Sequence, residues 1–409
     1  MTSNLNLIIA SLLLIIIIIF KIIIIHKHKV NKNKTLYQYT KRLIIALIII
    51  SIVVFASSLL INISNSTTSL DDTITSLINA FSISLITFPI SLITLYHTSF
   101  QDEEQISHIK TIITNNFDST LIRKFNKAGI NVIILSTNNY PSKIKTIEVE
   151  EIEPKLLHKN IQIKTDDYHL IENTIDKKNT IYVLDNLKDF YLKLKKSRGT
   201  EDNYIRGIKY LIITYFPLIL SYYFLSILNF PITYNLLTII ILKIYTIINS
   251  EYLLKNLPYD TDIMTRKPKP TNIFIGKQET IFLILESFCI FFILNIPYML
   301  AIVENGPEDF ANSLFYTLFI MINILYTISI ISDSNIIKNM FKSLKSISLI
   351  IYFILSIGLI CLINFTNFLD TTSIGWHNCI SCILFSLIAI SINELIKLAR
   401  FTTTKGRKK

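Results

Sequence analysis

Glycine is scarce in this chain, with 8 residues among 409. The phosphate loops of Walker-type nucleotide-binding proteins and of dinucleotide-binding folds need two or three glycines within a few residues, because the backbone must approach a phosphate group closely. The closest pair in this sequence is Gly199 and Gly207. The sequence therefore excludes both kinds of phosphate loop.

Cysteine is also rare, and the four residues Cys289, Cys361, Cys379 and Cys382 lie in or beside apolar stretches. A disulfide framework is not expected from this distribution. The spacing of Cys379 and Cys382 resembles a redox or zinc pair, but on a helix it places two small apolar groups one turn apart, and packing is the favoured interpretation. The seven histidines show no metal-ligand spacing. We therefore expect no cofactor and no bound metal.

Apolar residues, in contrast, make up 51% of the sequence, and isoleucine occurs in long runs. This composition is typical of an integral membrane protein, so the lipid bilayer is the first expected partner. A net charge of +11 is also seen in nucleic-acid-binding proteins. Here the lysines cluster in short segments beside apolar stretches, as the positive-inside rule requires, and we expect no nucleic-acid partner.

Membrane-spanning helices need about 20 mostly apolar residues. Nine segments meet this criterion: 6–25, 43–63, 74–97, 208–229, 232–254, 278–302, 311–332, 347–368 and 375–397. Four basic segments then fall on one side of the membrane: 26–42, 255–277, 338–345 and 405–409. This side is predicted to be cytoplasmic, which leaves the N-terminus outside.

One segment is long and charged, residues 100–205, and it contains alternating patterns at Asn131–Leu135 and Thr180–Leu184 that are typical of strands. We interpret it as a small cytoplasmic α/β domain. The fold class is thus a polytopic α-helical membrane protein with about nine helices and one small soluble domain. The predicted organisation is three helices in 1–99, this domain in 100–205, six helices in 206–400 and a basic tail in 401–409.

A specific pattern covers residues 203–268, which begin with NYIR and close with LPYDTDIMTRKP at 257–268. This stretch resembles the fifth and sixth transmembrane helices of the type II, calcium-pump-like P-type cation ATPases. In that family the sixth helix is followed by a loop of the form P-P-D-x-D-I-M-x-R-x-P-R. The spacing from Lys209 through Pro231 to Asp262 fits the family pattern without a gap.

Further pieces agree in chain order. Residues 127–139 are similar to the helix and strand that lead to the family's T-G-D motif, and 182–185 (YVLD) are similar to the strand before the fifth helix. Segment 74–97 resembles the fourth helix, and 372–397 resemble the last helix. The resemblance implies that 100–205 is a remnant of the Rossmann-like (HAD-like) phosphorylation domain. It also implies that the first helix matches the family's second, and that the actuator and nucleotide-binding domains are missing.

The catalytic motifs of the family are absent from this remnant. P-type pumps form an acyl phosphate on the aspartate of D-K-T-G-T, with Mg²⁺ held by nearby carboxylates. By position Asn115 replaces this nucleophile and Asn138 replaces the acid of T-G-D. The magnesium motif G-D-G-x-N-D has no counterpart between Asn139 and Thr180. A carboxamide has no anionic oxygen to attack phosphorus, so the resemblance implies an inactive enzyme.

The transport site of the family is altered as well. Cation coordination inside a bilayer requires converging carboxylate and carbonyl oxygens. In the family an acidic residue follows the proline of the fourth helix; here that proline is Pro89 and the next residue is Ile90. Leu218 stands where the family has an acidic residue on its fifth helix. The family's sixth-helix motif N-x-x-T-D has Lys243, Thr246 and Ile247 in place of its N, T and D in this sequence. A Ca²⁺ or Mn²⁺ site is not expected with these residues.

Lys243 lies in the middle of a predicted span, where an ammonium group costs about 3 kcal/mol on insertion scales. Two interpretations stay open. Its amine occupies the place of the missing ion and pairs with Glu286 or Glu251, which locks the helices in one state. Alternatively it snorkels toward water and has no role.

Glu394 lies near the inner end of the last span. Structural pairing with Lys397 or Arg400 is the expected arrangement, because Lys397 lies about one helical turn from Glu394 and Arg400 about two turns.

Three functions follow. The favoured one is a catalytically inactive pseudoenzyme that serves as a scaffold, a regulatory protein or a partner subunit, with another membrane protein or an active pump as candidate partner. The second is a cation transporter that is diverged or completed in trans by a separate nucleotide-binding protein, which predicts a neighbouring gene with D-K-T-G-T. The third is a decaying gene fragment, which the uninterrupted apolar helices and the intact charge asymmetry disfavour.

Overall fold

The computed structural model describes a defined part of the chain. The described residues are 106–114, 118–135, 146–147, 180–182, 186–228, 230–231, 236–250, 254, 257, 259–260, 262–268, 277–331, 336–343, 345–366, 371–406 and the single positions 19, 45 and 95. The predicted spans 6–25, 43–63 and 74–97 therefore lie almost wholly outside them. The chain divides into a sheet unit, residues 102–202 and 258–274, and a helical unit made of the remaining segments.

The described residues of the sheet unit form four parallel strands. They are β1 (Thr111–Thr114), β2 (Asn131–Leu135), β3 (Thr146–Ile147) and β4 (Thr180–Tyr182), in the order β3-β2-β1-β4. Helix α1 (Ser119–Lys127) connects β1 to β2, which are paired in parallel from Thr111 and Asn131 onward. The predicted strand at Asn131–Leu135 has the same bounds in the structure, and β4 covers the first part of the predicted strand at Thr180–Leu184.

Helix α1 is amphipathic, and its apolar face forms the core of this unit. Leu121, Ile122 and Phe125 are buried. The Phe125 ring packs against the rings of Phe190 and Tyr191, with centroids 6.1 and 5.5 Å away. Burial of such aromatic side chains contributes about 1.5–3 kcal/mol each, so these contacts hold α1 on its neighbouring helix.

The end of α1 depends on Gly129, which has a φ of +71°. The amide of Ile130 donates to the carbonyl of Phe125 at 3.0 Å, as in a Schellman cap, and only glycine adopts this left-handed conformation without strain. A Cβ at Gly129 would lie 3.0 Å from the Cα of Lys267. The same glycine therefore lets the segment after Tyr259 approach the end of α1.

Seven helices complete the described structure. They are α2 (Leu187–Ile227), α3 (Leu236–Ile248), α4 (Lys277–Val303), α5 (Glu308–Ile330), α6 (Ile336–Ser343), α7 (Ile347–Phe365) and α8 (Gly375–Gly406). Within the described residues, four helical stretches are long and apolar enough to cross a membrane: Glu279–Val303, Glu308–Ile330, Ile347–Phe365 and Gly375–Leu398. They show that the segments predicted at 278–302, 311–332, 347–368 and 375–397 are helices of the length and composition that a membrane span needs. The spans predicted at 208–229 and 232–254 overlap α2 and α3.

The sheet unit is assembled from two stretches of the chain, and the predicted domain organisation stays a prediction. Helix α2 is continuous from Leu187 to Ile227, and the first stretch of the sheet unit ends within it after Asp202. Residues 258–274, predicted as part of a loop in the C-terminal membrane region, belong to the sheet unit. The physical reason is the set of contacts that Tyr259 and the residues after it make with α1 and the first part of α2.

Helix α5 is the central element of the helical unit. In its most apolar window 78% of the residues are buried, against 22% for α7, and α5 packs against α4, α7 and α8. The outer helices expose apolar faces instead. On α4 the exposed residues recur at helical spacing: Ile281, Ile284, Leu285, Phe288, Phe292, Ile296, Leu300 and Val303. A continuous apolar face of this kind suits lipid chains, so this unit is an integral membrane region.

Candidate functional site

The carboxyl edge of the parallel sheet is the first candidate site. Strand β1 ends at Thr114, which is fully buried, and β2 ends at Leu135. In sequence, Asn115 follows β1 directly and Asn138 follows β2 after two residues. Ligands of open α/β sheets bind beyond the carboxyl ends of the strands, so the edge beyond Thr114 and Leu135 is the candidate ligand-binding edge. Both asparagines lie outside the described residues.

Asp118 follows this edge and begins α1. Its carboxylate accepts hydrogen bonds from the amides of Thr120 and Leu121, at 2.9 and 3.1 Å, and from the Thr120 hydroxyl at 2.7 Å. These bonds, the one from the hydroxyl first, hold the pKa of the Asp118 carboxyl below its usual value. Asp118 is thus an N-cap residue, and its carboxylate serves the helix rather than a bound ligand.

Arg198 on α2 anchors the segment after Tyr259. Its guanidinium is buried and donates to the carbonyls of Ile263 and Arg266 at 3.3 and 3.0 Å, and to the carbonyl of Ala128 at 3.2 Å. Burial lowers the pKa of Arg198, while the charges of neighbouring acids raise it. One side chain therefore joins α2, the end of α1 and the 262–268 segment.

The Arg266 side chain in that segment forms ion pairs with three carboxylates. Its guanidinium contacts Asp202 and Asp260 at 3.0 Å each, and Asp262 at 2.6 Å. Burial alone would lower the pKa of Arg266, but the hydrogen bonds to Asp262 and Asp260 and the charge of Asp202 raise it above its usual value. The basic residue of the predicted family loop thus has a structural role here, and it holds the loop on the first part of α2.

A small cleft lies beside these two arginines. It has a volume of about 30 Å³ and is lined by Ser107, Arg198, Glu201, Asp202, Ile263, Arg266, Lys267 and Pro268. This volume accommodates about two water molecules. The cleft suits water or a small polar group, and it is far too small for a nucleotide.

The transport-site positions lie on the helical unit. Leu218 on α2 and Ile247 on α3 are buried apolar residues, and Thr246 on α3 is fully buried. Lys243 lies on α3, and its side chain is outside the described part of the structure, as are Pro89 and Ile90. Glu286 is buried on α4, but the pairing of Lys243 with Glu286 or Glu251 stays a prediction.

Hydrogen bonds connect α2 and α3 to the central helix α5. The Tyr210 hydroxyl of α2 donates to the side-chain oxygen of Asn323 at 2.8 Å, and the side-chain amide of Asn249, directly after α3, donates to the Thr327 hydroxyl at 2.7 Å. All four side chains are almost completely buried. In the absence of water such bonds hold helices together, because a polar group left alone in lipid is costly.

A second set of bonds connects α3 to α7. The Tyr245 hydroxyl donates to the Tyr352 hydroxyl at 2.5 Å and lies 2.9 Å from the Ser356 hydroxyl. The two tyrosine rings are stacked, with centroids 5.3 Å apart. We call the seven side chains of these bonds the neutral network: Tyr210, Tyr245, Asn249, Asn323, Thr327, Tyr352 and Ser356.

The neutral network offers hydroxyl and amide groups but no carboxylate. Calcium takes six to eight oxygen ligands, and carboxylates usually supply the charge that the ion requires. Within the described part of the chain, no three His, Cys, Asp or Glu side chains lie close enough together to hold a metal ion.

Residues 235–399 match a family described as the C-terminus of cation transporting ATPases. This region is similar to the C-terminal membrane region of P-type cation ATPases, and we call it the ATPase region. The match begins just before α3 and ends within α8, so it includes α3 and the four helices that are long and apolar enough to span. The resemblance inferred from the sequence is thereby confirmed for residues 235–399. No curated protein matches the chain.

Within this ATPase region, α8 is fastened to α5 at Ser329. The buried Lys397 ammonium donates to the Ser329 carbonyl and hydroxyl at 2.5 and 2.7 Å, and to the Glu394 carboxylate at 2.8 Å. The Asn393 amide adds a bond to the same hydroxyl at 2.7 Å. The expected pairing of Glu394 with Lys397 is confirmed, and its role in the ATPase region is structural.

The neutral network was not predicted from the sequence. Its signal is polar residues that recur four positions apart within apolar stretches, as in Tyr245 with Asn249, Asn323 with Thr327, and Tyr352 with Ser356. This spacing places both members on one helical face. The sequence does not say which helix each face meets, and only the structure of the ATPase region pairs them.

Proposed function

We propose that this chain is a catalytically inactive, P-type ATPase-like membrane protein that acts as a scaffold, a regulatory protein or a partner subunit of another membrane protein. The observation that carries the proposal is the neutral network, which occupies the helices where the family resemblance places the transport site. Tyr210 and Asn249 bond to α5, and Tyr245 bonds to α7. Polar groups on these helices are thus engaged in holding the helices together.

A transported cation would have to displace these bonds. A pump binds its ion by exchanging the ion's water for charged and carbonyl oxygens, and the exchange is favourable only when those oxygens converge. Here the positions carried over from the family are Leu218 and Ile247, both buried and apolar. The arrangement supports a static helix assembly over an ion path.

The sheet edge supports the same proposal. Strands β1 and β2 are parallel neighbours, and the residues that follow them in sequence include Asn115 and Asn138. A phosphoryl-transfer site at this edge needs a carboxylate nucleophile and carboxylates for Mg²⁺. Carboxamides at these two positions supply neither, so we infer that the chain forms no acyl phosphate.

The finer architecture is part of the proposal. We infer nine membrane-spanning helices, with the sheet unit as a HAD-like phosphorylation domain on the cytoplasmic side together with the C-terminus. The parallel sheet and the connection from β1 through α1 to β2 support the HAD-like fold, and the lysines at 255–277 and 338–345 support the orientation. The sequence remains the basis for the three N-terminal spans.

A phosphorylation assay tests the proposal. The purified full chain in lipid is incubated with γ-labelled ATP and Mg²⁺, quenched in acid and treated with hydroxylamine, which cleaves acyl phosphates. We expect no hydroxylamine-sensitive label and no ATP hydrolysis above that of empty membranes. An active P-type pump prepared in the same lipid is the positive control.

Two variants sharpen the assay. Asn115→Asp restores a carboxylate at the nucleophile position, and we expect it to stay unlabelled because Asn138 and the missing magnesium motif leave the phosphate charge without its partners. Hydroxylamine-sensitive label on the unmodified chain contradicts the proposal outright. Label on Asn115→Asp alone would mean that the sheet edge still binds nucleotide and Mg²⁺. This result would contradict our inference that the chain has lost both of these binding functions.

A further inference from the structure

The short helix α6 (Ile336–Ser343) exposes an apolar face. Ile337, Met340 and Phe341 are 65%, 49% and 66% exposed. Their spacing of three and four residues places them on one side of the helix, whereas Asn339 falls on the opposite side by the 100° rotation per residue. Large apolar side chains that are exposed on one helical turn are costly in water, so this face suits a nonaqueous environment.

The position of α6 between two membrane spans determines what that partner is. Only residues 331–335 connect α6 to α5, and only residues 344–346 connect it to α7. Five residues reach at most about 18 Å, so α6 stays close to the plane where both spans leave the hydrocarbon. The headgroup region on each side of a bilayer is about 5–7 Å deep. Helix α6 also packs against α5, which holds it near the end of that span.

The positive charge of residues 336–345 indicates which lipids the helix contacts. Residues 336–345 contain the three lysines Lys338, Lys342 and Lys345 and no acidic residue. Lys338 and Lys345 are exposed. A helix with one apolar face and adjacent lysines is the pattern of segments that lie in the interface of membranes with anionic lipids.

We propose that α6 is an interfacial helix that inserts Ile337, Met340 and Phe341 between lipid headgroups and binds anionic phospholipids through its lysines. The proposal assigns a lipid-binding surface to this region of the chain. It depends on the membrane insertion of α5 and α7 and is independent of the inactivity proposed above, since an active transporter could carry the same helix.

Fluorescence quenching tests the apolar contact. The chain has one tryptophan, Trp376, so Trp376→Phe supplies a background in which Phe341→Trp is the only indole. The full chain is reconstituted in phosphatidylcholine vesicles with and without brominated acyl chains. We expect a blue-shifted emission from the indole at 341 and strong quenching by the brominated lipid.

The matched control is Asn339→Trp in the same background, because position 339 lies on the opposite side of α6. We expect its emission to be red-shifted and only weakly quenched. Ile337→Trp provides a second probe on the apolar face if Phe341→Trp fails to fold. Unquenched emission from both apolar-face probes overturns the lipid contact: a red shift then indicates a solvent-exposed face, and a blue shift indicates a face covered by protein.

The lysines are tested by lipid selectivity. Quenching of the indole at 341 is compared between brominated phosphatidylserine and brominated phosphatidylcholine, at equal mole fraction and low salt. We expect a preference for phosphatidylserine that falls about fivefold for each lysine replaced in Lys338→Gln, Lys342→Gln and Lys345→Gln. Quenching without any preference for phosphatidylserine, or a preference that the three replacements leave unchanged, overturns the anionic-lipid assignment.

Discussion

At the scale of single residues, two of the few glycines allow one segment to dock within the sheet unit. Gly129 meets Lys267, and a Cβ at Gly199 on α2 would lie 2.2–2.5 Å from three ring atoms of Tyr259. Real Cβ atoms do not approach a ring so closely, so the contact of Tyr259 with α2 requires glycine at 199. In a chain with 8 glycines, this use indicates that the docking of residues 259–268 is a specific feature of the sheet unit.

Gly199→Ala should displace the Tyr259 ring and loosen the segment that follows it. Overpacking of this kind costs about 1–3 kcal/mol. The measurement is tryptic cleavage after Arg266 in the reconstituted chain, which we expect to be faster in the variant, together with a lower thermal unfolding temperature.

Gly358→Ala is the control for this substitution. Gly358 lies inside α7, and a Cβ there would meet nothing within 4 Å. Alanine is a better helix former than glycine by about 0.5–1 kcal/mol, so this variant should be unchanged or slightly more stable. Equal cleavage rates for Gly199→Ala and the unmodified chain would contradict the role given to Gly199.

At the scale of elements, the helices of the membrane region are joined by paired polar side chains. Helix α5 receives the bonds from α2 and α3, and α8 is fastened to it at Ser329. Its apolar window is the most buried of the four spans. Lipid chains are as apolar as leucine and provide no hydrophobic drive between helices, so packing and hydrogen bonds hold such an assembly together.

A double-mutant cycle on Asn249 and Thr327 measures the coupling free energy of one of these hydrogen bonds between helices. Asn249→Leu and Thr327→Val should each destabilise the membrane region by about 1–2 kcal/mol, because each leaves a buried polar partner behind. The coupling between them should be about 0.6 kcal/mol, the average for hydrogen bonds between membrane helices. Unfolding in mixed micelles with increasing denaturing detergent gives the free energies.

Gly358→Ala again serves as the control in this cycle. It should combine additively with Asn249→Leu, because position 358 has open space around it. A coupling of zero between Asn249 and Thr327 would mean that their bond does not hold α3 to α5.

At the scale of the whole molecule, the number of spans decides which sides the two termini occupy. The nine crossings that we propose would place the two ends of this chain on opposite sides of the membrane, with residues 401–409 on the side that we propose is cytoplasmic. Four helices in the described part of the chain are long and apolar enough to span, and two more predicted spans overlap α2 and α3. We therefore expect an epitope tag at the N-terminus to be reached by antibody in intact cells, and a C-terminal tag only after permeabilisation. Both tags on one side would mean an even number of crossings.

Several features could be predicted from the sequence because they depend on local patterns. The four helices that are long and apolar enough to span follow from apolar length, and β2 follows from the run of β-branched and apolar residues after Gly129. The pairing of Glu394 with Lys397 follows from helical spacing on one element. The family of residues 235–399 follows from a linear motif and its spacing.

The sequence alone thus determined the chemistry of single positions, the class of protein and the order of the elements. It could do so because composition, hydrophobic periodicity and motif spacing are properties of a linear chain. The tertiary structure decided which of these pieces meet. It placed residues 258–274 in the sheet unit, bound Arg266 to Asp202 and Asp260, and matched Tyr210 and Asn249 with partners on α5. These contacts join residues more than fifty positions apart in most cases, as with Arg266 and Asp202 or Asn249 and Thr327. The physical reason is that burial obliges each polar group to find a partner, and packing in three dimensions selects which one.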